Sequence, residues 1–154
     1  MNIFTDIRKV VDAELLDFLA TGLLPEEAKD KLGHYTIEPP RDPSHGDISV
    51  NAALVLSKIA RKNPREIAQA LASALMAHED IASAEVAGPG FVNLRLGKQV
   101  WHRHIGAILS LAEDYGRGEK RTGHSVNVEF VSANPTGPMH IGHCRGAVFG
   151  DSLA

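Results

Sequence analysis

The sequence has very little cysteine and no long hydrophobic run. Its single cysteine, Cys144, excludes an internal disulfide and favours a reducing compartment. No segment approaches the roughly 18 apolar residues of a membrane span, and the charged amino-terminal segment is unlike the apolar core of a signal peptide. The net charge of −3 provides no overall basic excess, so a nucleic-acid surface would have to be a local patch. We therefore expect a soluble cytoplasmic protein without a membrane partner.

What is present is typical of a globular protein, with 44% hydrophobic and 23% charged residues. The periodicity of the apolar residues predicts both helices and strands within residues 1–115. The predicted helices span 3–18, 50–60, 64–75 and 101–112, and the predicted strands span 35–38, 81–86 and 91–96. The prolines and glycine of 39–47 predict a loop. We expect an α+β amino-terminal domain over residues 1–115.

A glycine-rich, charged segment follows this domain and predicts a linker over residues 116–124. Residues 125–154 then contain one predicted strand, Ser125 to Val131, and one predicted helix. One strand and one helix cannot bury their apolar faces alone. We therefore expect residues 125–154 to be the truncated beginning of a second domain.

The turn and helix after the predicted strand favour a phosphate-binding site. Pro138 suits the first position of the helix, whose free N–H groups and dipole attract anions. His140 and His143 share one helical face and can donate to phosphate oxygens, while Gly142 leaves room for a base or ribose. A metal site is disfavoured because the HExxH pattern and a third ligand are missing. Two unrelated surface histidines remain the simple alternative.

Two further features predict ligand contacts, each with an alternative. Glu129 lies near the carboxyl end of the predicted strand, where a carboxylate suits a guanidinium, although it could also be an exposed edge residue. Phe91 and Asn93 alternate on one face of a strand, where a ring can stack on an unpaired base and an amide can read its edge. Phe91 could equally be a core residue.

The string VEFVSANPTGPMHIGHCRGAVFGD, with its HIGH sequence, resembles class I aminoacyl-tRNA synthetases and specifically arginyl-tRNA synthetase. PRDPSHGDISVNAALVLSKIARKNPREIA and VAGPGFVNLRL resemble the amino-terminal extension of the same family. The resemblance implies an added tRNA-binding domain over 1–115 and, from 125, the first βα unit of a Rossmann-type catalytic domain. It implies ATP-dependent activation of L-arginine and its transfer to tRNA(Arg), with Mg²⁺ accompanying ATP, by a monomeric enzyme.

The resemblance also implies residue roles. ATP would be bound by His140, Gly142 and His143, arginine by Glu129, Ser132 and Asn134, and a D-loop nucleotide of the tRNA by Phe91 and Asn93. The rest of the motif is Ala133, Pro135, Thr136, Gly137, Pro138, Met139 and Ile141. Cys144 is interpreted as a small apolar filler and not as a nucleophile, and no protein-bound metal is expected.

Two alternatives to a synthetase remain open. The first is a stand-alone tRNA-binding module without catalysis, which would not need the HIGH sequence. The second is another nucleotidyltransferase with a similar phosphate site, which would not carry the upstream domain. For the synthetase interpretation, we expect residues 1–154 alone to be inactive in adenylate formation.

Overall fold

The computed structural model describes residues 2–117, 123, 127, 129, 131–134 and 136–153. Contacts divide the chain into two compact units, Met1–Gly116 and Arg117–Ala154. The first unit contains α1 (Ile3–Ala20), a 3₁₀ helix (Glu26–His34), β1 (Ile37–Glu38), β2 (Ile48–Val50), α2 (Ala52–Ala60), α3 (Pro64–Leu75), β3 (Ile81–Ala87), β4 (Phe91–Leu96) and α4 (Lys98–Leu111), with short 3₁₀ turns at Pro43–His45 and Ala112–Asp114. The second unit contains α5 (Ile141–Leu153).

The first unit is built on a four-stranded antiparallel sheet with the strand order β1-β2-β4-β3. Several residues of the strands face the helices and are buried, among them Val50, Val92 and Leu94. They share one hydrophobic core with the inward faces of α1, α2 and α3. Burying each large apolar side chain contributes about 1.5–3 kcal/mol, so this core holds the α+β fold that the sequence predicts.

The helix predicted near the amino terminus is confirmed as α1. Its first turn is capped by the Asn2 side chain, which accepts a hydrogen bond from the backbone N–H of Phe4. Apolar residues three or four positions apart then put one stripe into the core, namely Ile7, Val11, Leu15 and Phe18. The helix ends just before Gly22, whose φ of 74° lies in the left-handed region.

The segment around residue 50 differs from the prediction. The helix predicted over 50–60 begins at Ala52, and Ile48–Val50 before it forms β2, which the sequence pattern does not predict. Three residues are too few to show strand periodicity, so β2 is defined by its pairing with β1 and β4. The strand predicted over 35–38 is correspondingly short, at Ile37–Glu38, while the predicted hairpin is confirmed as β3 and β4.

The helix predicted around Trp101 is confirmed as α4, but its apolar stripe does not face a core. Only Val100 of α4 is buried, whereas Trp101, Ile105 and Leu109 are exposed. The spacing of the apolar residues therefore predicts the helix correctly but does not predict its burial. Among the described residues, only the amino-terminal end of α4 packs against the core of the first unit.

The second unit corrects one prediction and leaves another untested. Helix α5 begins at Ile141, so Pro138 is not its first helical residue. Of the predicted strand, Asn127, Glu129 and Val131 have no regular structure, and the other positions lie outside the described residues, as does most of the predicted linker. None of the residues of α5 is buried. Within the described chain no helix is long and apolar enough to cross a membrane.

Candidate nucleic-acid interface and histidine pair

An open groove of about 580 Å³ lies on the face of the sheet that is turned away from the helices. It is lined by the outer residues of β1, β2 and β4 and by the loop between β1 and β2, and its lining residues are Thr36, Glu38, Pro39, Pro40, Arg41, His45, Ser49, Asn51, Phe91 and Asn93. Both residues that the sequence singled out on β4 therefore line one groove with a loop about 50 positions earlier in the chain.

Strand register creates the polar floor of this groove. Asn93 lies opposite Ser49 on one side, and Ser49 in turn lies opposite Glu38. Directly paired residues project from the same face of a sheet, so these three side chains form one row. Sequence reasoning missed Glu38 and Ser49, because the register of short strands cannot be read from periodicity.

Phe91 and Asn93 have the surroundings of ligand contacts. The Phe91 side chain is 37% exposed, which excludes the alternative that it is a core residue. Asn93 is only 8% exposed, and its amide makes no hydrogen bond to another group in the described chain. The Asn93 amide is not among the fully buried, unpartnered polar groups of the described residues, so it stays within reach of solvent at the groove and is available to read the edge of a base.

The loop at the groove is held in place by three hydrogen bonds and one close packing contact with β4. The Arg95 guanidinium donates to the carbonyl of Ser44 over 3.2 Å. Asp47 donates its N–H to the carbonyl of Leu94 and accepts, at Oδ2, the N–H of Leu96, both over 2.8 Å. Gly46 packs so closely that a Cβ would lie 2.6 Å from the Leu94 oxygen. The loop is thus fixed to the sheet at its carboxyl-terminal end.

Within the loop, Asp42 stabilises the short turn that precedes Gly46. Its Oδ1 accepts the N–H of Ser44 over 2.9 Å. The hydrogen bonds from Ser44 lower the pKa of the Asp42 carboxyl, with a smaller contribution from the charge of His45. This arrangement leaves Arg41 and His45 as the loop's two basic side chains at the groove.

In the second unit, the two histidines of the HIGH sequence come together. The rings of His140 and His143 stack with centroids 3.9 Å apart and planes inclined by 28°. The Nδ1 of His143 accepts the N–H of His140, and the Nδ1 of His140 accepts the N–H of Gly142, each over 3.2 Å. An accepting ring nitrogen carries no proton, so each neutral ring holds its proton on Nε2. Both Nε2–H groups are therefore donors available to an anion.

Gly142 permits this arrangement because it has no side chain. A Cβ at this position would lie 3.0 Å from two atoms of the His140 ring, which is tighter than ordinary packing. The third residue of the motif thus allows the first histidine to fold over the beginning of α5. This is a structural reason for glycine between the histidines, in addition to room for a ligand.

The other predicted ligand residues of the second unit are solvent-exposed. Glu129, Ser132 and Asn134 line neither the groove at β4 nor the open face of α5. The Asn134 carbonyl accepts the N–H of Thr136 over 2.8 Å, which forms part of the predicted turn. Among the other motif positions, Ala133 is half-buried, Gly137, Pro138, Met139 and Ile141 are exposed, and Pro135 lies outside the described residues.

Helix α5 of this unit carries an exposed apolar surface. It presents Ile141, Val148 and Phe149 on one open face, with Cys144 beside them. The Cys144 thiol is free and exposed, and its interpretation as a small filler stays a prediction. No group of three His, Cys, Asp or Glu residues suited to a metal is found in the described part of the chain.

Comparisons with known proteins give a consistent result. Residues 5–96 match the family described as the arginyl tRNA synthetase N terminal domain. An arginine–tRNA ligase of Chelativorans sp. is 56% identical over 156 residues, and one of Ruegeria sp. is 55% identical over 154 residues. Both alignments cover 100% of this chain and 26% of the relative, so the chain spans about a quarter of the length of these curated relatives.

A solved structure shows the same fold. The chain is similar to the arginyl-tRNA synthetase of Thermus thermophilus with a TM-score of 0.50 and 24% identity, over 99% of this chain and 23% of that one. At this identity the likeness concerns the fold alone. It agrees with the α+β architecture of the amino-terminal part.

Proposed function

The chain belongs to the arginyl-tRNA synthetase family, and on this premise we propose that it is part of an arginine–tRNA ligase whose first unit binds tRNA(Arg). The observation that carries the proposal is the groove in which the exposed Phe91 ring and the Asn93 amide lie side by side on β4. The stand-alone binding module is the second candidate, and only the HIGH sequence of the second unit argues against it.

In this proposal the groove takes one unpaired nucleotide of the tRNA D-loop. The base stacks on the Phe91 ring, and its edge bonds to the Asn93 amide beneath it. Stacking of a base on an aromatic side chain contributes about 1–3 kcal/mol, and a well-placed amide adds selectivity among bases. The fixed strand register supports this role, because it presents both side chains without rearrangement.

We further propose that residues 125–154 form the first βα unit of a Rossmann-type catalytic domain. The Nε2–H groups of His140 and His143 would donate to phosphate oxygens of ATP, which binds with Mg²⁺, and Gly142 keeps their geometry. Donors placed where negative charge develops lower the barrier when the arginine carboxylate attacks the α-phosphate and pyrophosphate leaves. Glu129 would hold the guanidinium of arginine, with Asn134 and Ser132 at its backbone groups.

These roles define the wider setting that we propose for the protein. The whole enzyme would act as a monomer in the cytoplasm, where its tRNA substrate is charged. Residues 1–154 alone would bind tRNA weakly and form no arginyl-adenylate, because other parts of the enzyme would complete the ATP and arginine sites.

The proposal is tested by comparing Phe91→Ala with Phe4→Ala in tRNA(Arg) binding. Both phenylalanines are 37% exposed in the same unit, but only Phe91 lines the groove. Loss of stacking predicts that Phe91→Ala weakens binding by about 5- to 150-fold. Fluorescence anisotropy with labelled tRNA(Arg) measures this affinity, and Phe4→Ala should leave it unchanged.

Two variants of the full-length enzyme, Phe91→Ala and Asn93→Ala, separate the two candidate functions. We expect Phe91→Ala and Asn93→Ala to weaken tRNA binding while ATP binding stays intact. If the full-length protein forms no arginyl-adenylate in the presence of tRNA(Arg), the non-catalytic module is the better account. Equal tRNA affinity in the wild-type and both variants would show that the groove is not the interface.

A further inference from the structure

We propose that the loop of residues 39–47 forms a phosphate subsite in which Arg41 and His45 bind an RNA backbone phosphate next to the nucleotide held by Phe91. The inference rests on the proposed function, because it requires that the groove take a nucleotide. The inference extends the proposed function from the base to the phosphate of the nucleotide, with Arg41 and His45 as the residues that bind it.

The charges along the groove are unevenly distributed. Arg41 and His45 line it at the loop, and both side chains are exposed. Of the described lining residues, Glu38 is the one carboxylate, and it lies on β1 in the row of Ser49 and Asn93. The loop also carries Asp42 and Asp47, whose carboxylates accept the backbone N–H groups of Ser44 and Leu96. A phosphate is repelled by Glu38 and attracted by the Arg41 guanidinium rather than by the loop as a whole, so the favourable place for it is beside Arg41.

The two basic side chains face one competing group, the Asp42 carboxylate, which interacts electrostatically with His45. Neither basic side chain takes part in an ion pair or a side-chain hydrogen bond in the described chain. The Asp42 carboxylate is itself engaged by the N–H of Ser44. The guanidinium of Arg41 therefore keeps its full set of donors for the fork-like contact that a phosphate accepts.

The carboxyl-terminal part of the loop, residues 44–47, is anchored before any ligand arrives. Arg95 holds the carbonyl of Ser44, and Asp47 is bonded on both sides to β4. A loop already fixed in its binding conformation loses less conformational entropy when the ligand binds. Phe91 and Asn93 at the floor of the groove suit a flat, polar base. In RNA the ribose links each base to a backbone phosphate, so one nucleotide can occupy the floor and the loop end together.

The salt dependence of tRNA(Arg) binding tests the subsite in the complete chain. Each phosphate contact made by single-stranded RNA contributes about 0.7 to the slope of log affinity against log salt concentration. We expect Arg41→Gln to lower the slope by about 0.7 and to weaken binding by up to about fivefold at low salt. His45→Gln should weaken binding by a smaller factor. Lys29→Gln is the matched control, since Lys29 is exposed and does not line the groove.

The outcomes separate the subsite from the groove itself. An unchanged slope in Arg41→Gln, while Phe91→Ala still weakens binding, would overturn the subsite and leave the proposed function standing. An equal loss of slope in Lys29→Gln would also overturn it, because the effect would then be one of general charge. Unchanged affinity in Phe91→Ala would instead refute the proposed function. Circular dichroism of each variant confirms that the fold is intact.

Discussion

The two units of the molecule use apolar residues in opposite ways. Helix α1 of the first unit buries four apolar side chains, whereas α5 of the second contains Val148, Phe149 and Leu153 and buries none of its residues. Burial of one such side chain contributes about 1.5–3 kcal/mol, while a helix of this length without packing is marginal in water. The fold of the first unit is therefore maintained by its core, and the helicity of α5 by local preference.

The two candidate sites differ in the same way. The groove depends on pairing between strands that are distant in sequence, as in the register of Ser49 with Asn93. The histidine pair depends on the spacing of three residues and on hydrogen bonds within one helical turn. A perturbation of the core should therefore disturb the groove and leave the His140–His143 arrangement untouched.

The largest expected effect comes from a matched pair of leucines. Leu71 of α3 is 0% exposed and Leu153 of α5 is 71% exposed. Leu71→Ala leaves a cavity in the core and should lower the free energy of unfolding by about 2–5 kcal/mol. Leu153→Ala should change it by less than about 0.5 kcal/mol. Urea denaturation followed by circular dichroism measures both, and equal losses would mean that α5 has a packing partner after all.

A pair of glycines should give effects of opposite sign. At Gly46 the φ of 119° and the 2.6 Å approach to the Leu94 oxygen make any Cβ strained, so Gly46→Ala should destabilise the first unit by about 1–3 kcal/mol. A Cβ added at Gly146 of α5 would meet no atom within 4 Å beyond its own helix backbone, and alanine there should favour the helix by up to about 1 kcal/mol. Thermal melting and helical content measure the two changes.

Loss of melting temperature in both glycine variants would contradict this part of the comparison. Gly46→Ala carries a second readout, since a displaced loop should weaken tRNA binding together with stability. Gly146→Ala should leave tRNA affinity unchanged, because Gly146 belongs to the second unit and does not line the groove.

Sequence reasoning succeeded where structure is local and failed where it depends on distant pairing. The stripe of Ile7, Val11 and Leu15 predicts α1, and alternation predicts the hairpin of β3 and β4. The three residues of β2 could not be predicted, because their conformation is imposed by β1 and β4. For the same reason the sequence indicates Phe91 and Asn93 but not Arg41 and His45, which reach the groove only through that pairing.

The second unit shows a different limit. Pro138 has the geometry for a first helical residue, yet α5 begins three residues later, at Ile141. The side chain of His143 bonds back to the N–H of His140 and so occupies the donor just before the helix. Side-chain capping of this kind competes with an extra turn of backbone, and residue preferences alone do not decide between them. The roles of Glu129, Ser132 and Asn134 stay predictions.

The smallest expected effect concerns Tyr35, which links α1 to β1 in the first unit. Its hydroxyl donates to Oδ1 of Asp12 over 2.6 Å, and the Arg8 guanidinium lies 4.5 Å from its ring centroid. Burial, and then the hydrogen bond and charge of Asp12, raise the pKa of Tyr35 well above its ordinary value, although Arg8 opposes them. Tyr35→Phe should cost about 1 kcal/mol near neutral pH, since it removes one hydrogen bond.

The direction of the pH dependence follows from that raised pKa. Below the unfolded value of about 10, Tyr35 is protonated in both states and the stabilisation is complete. As the pH rises above about 10, the unfolded chain loses this proton while the folded protein retains it, so stability falls. Urea denaturation at increasing pH should show this fall in the wild-type and in Tyr115→Phe, and a smaller fall in Tyr35→Phe. If stability falls equally in Tyr35→Phe, the alkaline sensitivity arises from groups other than Tyr35, and the Tyr35–Asp12 hydrogen bond is not its cause.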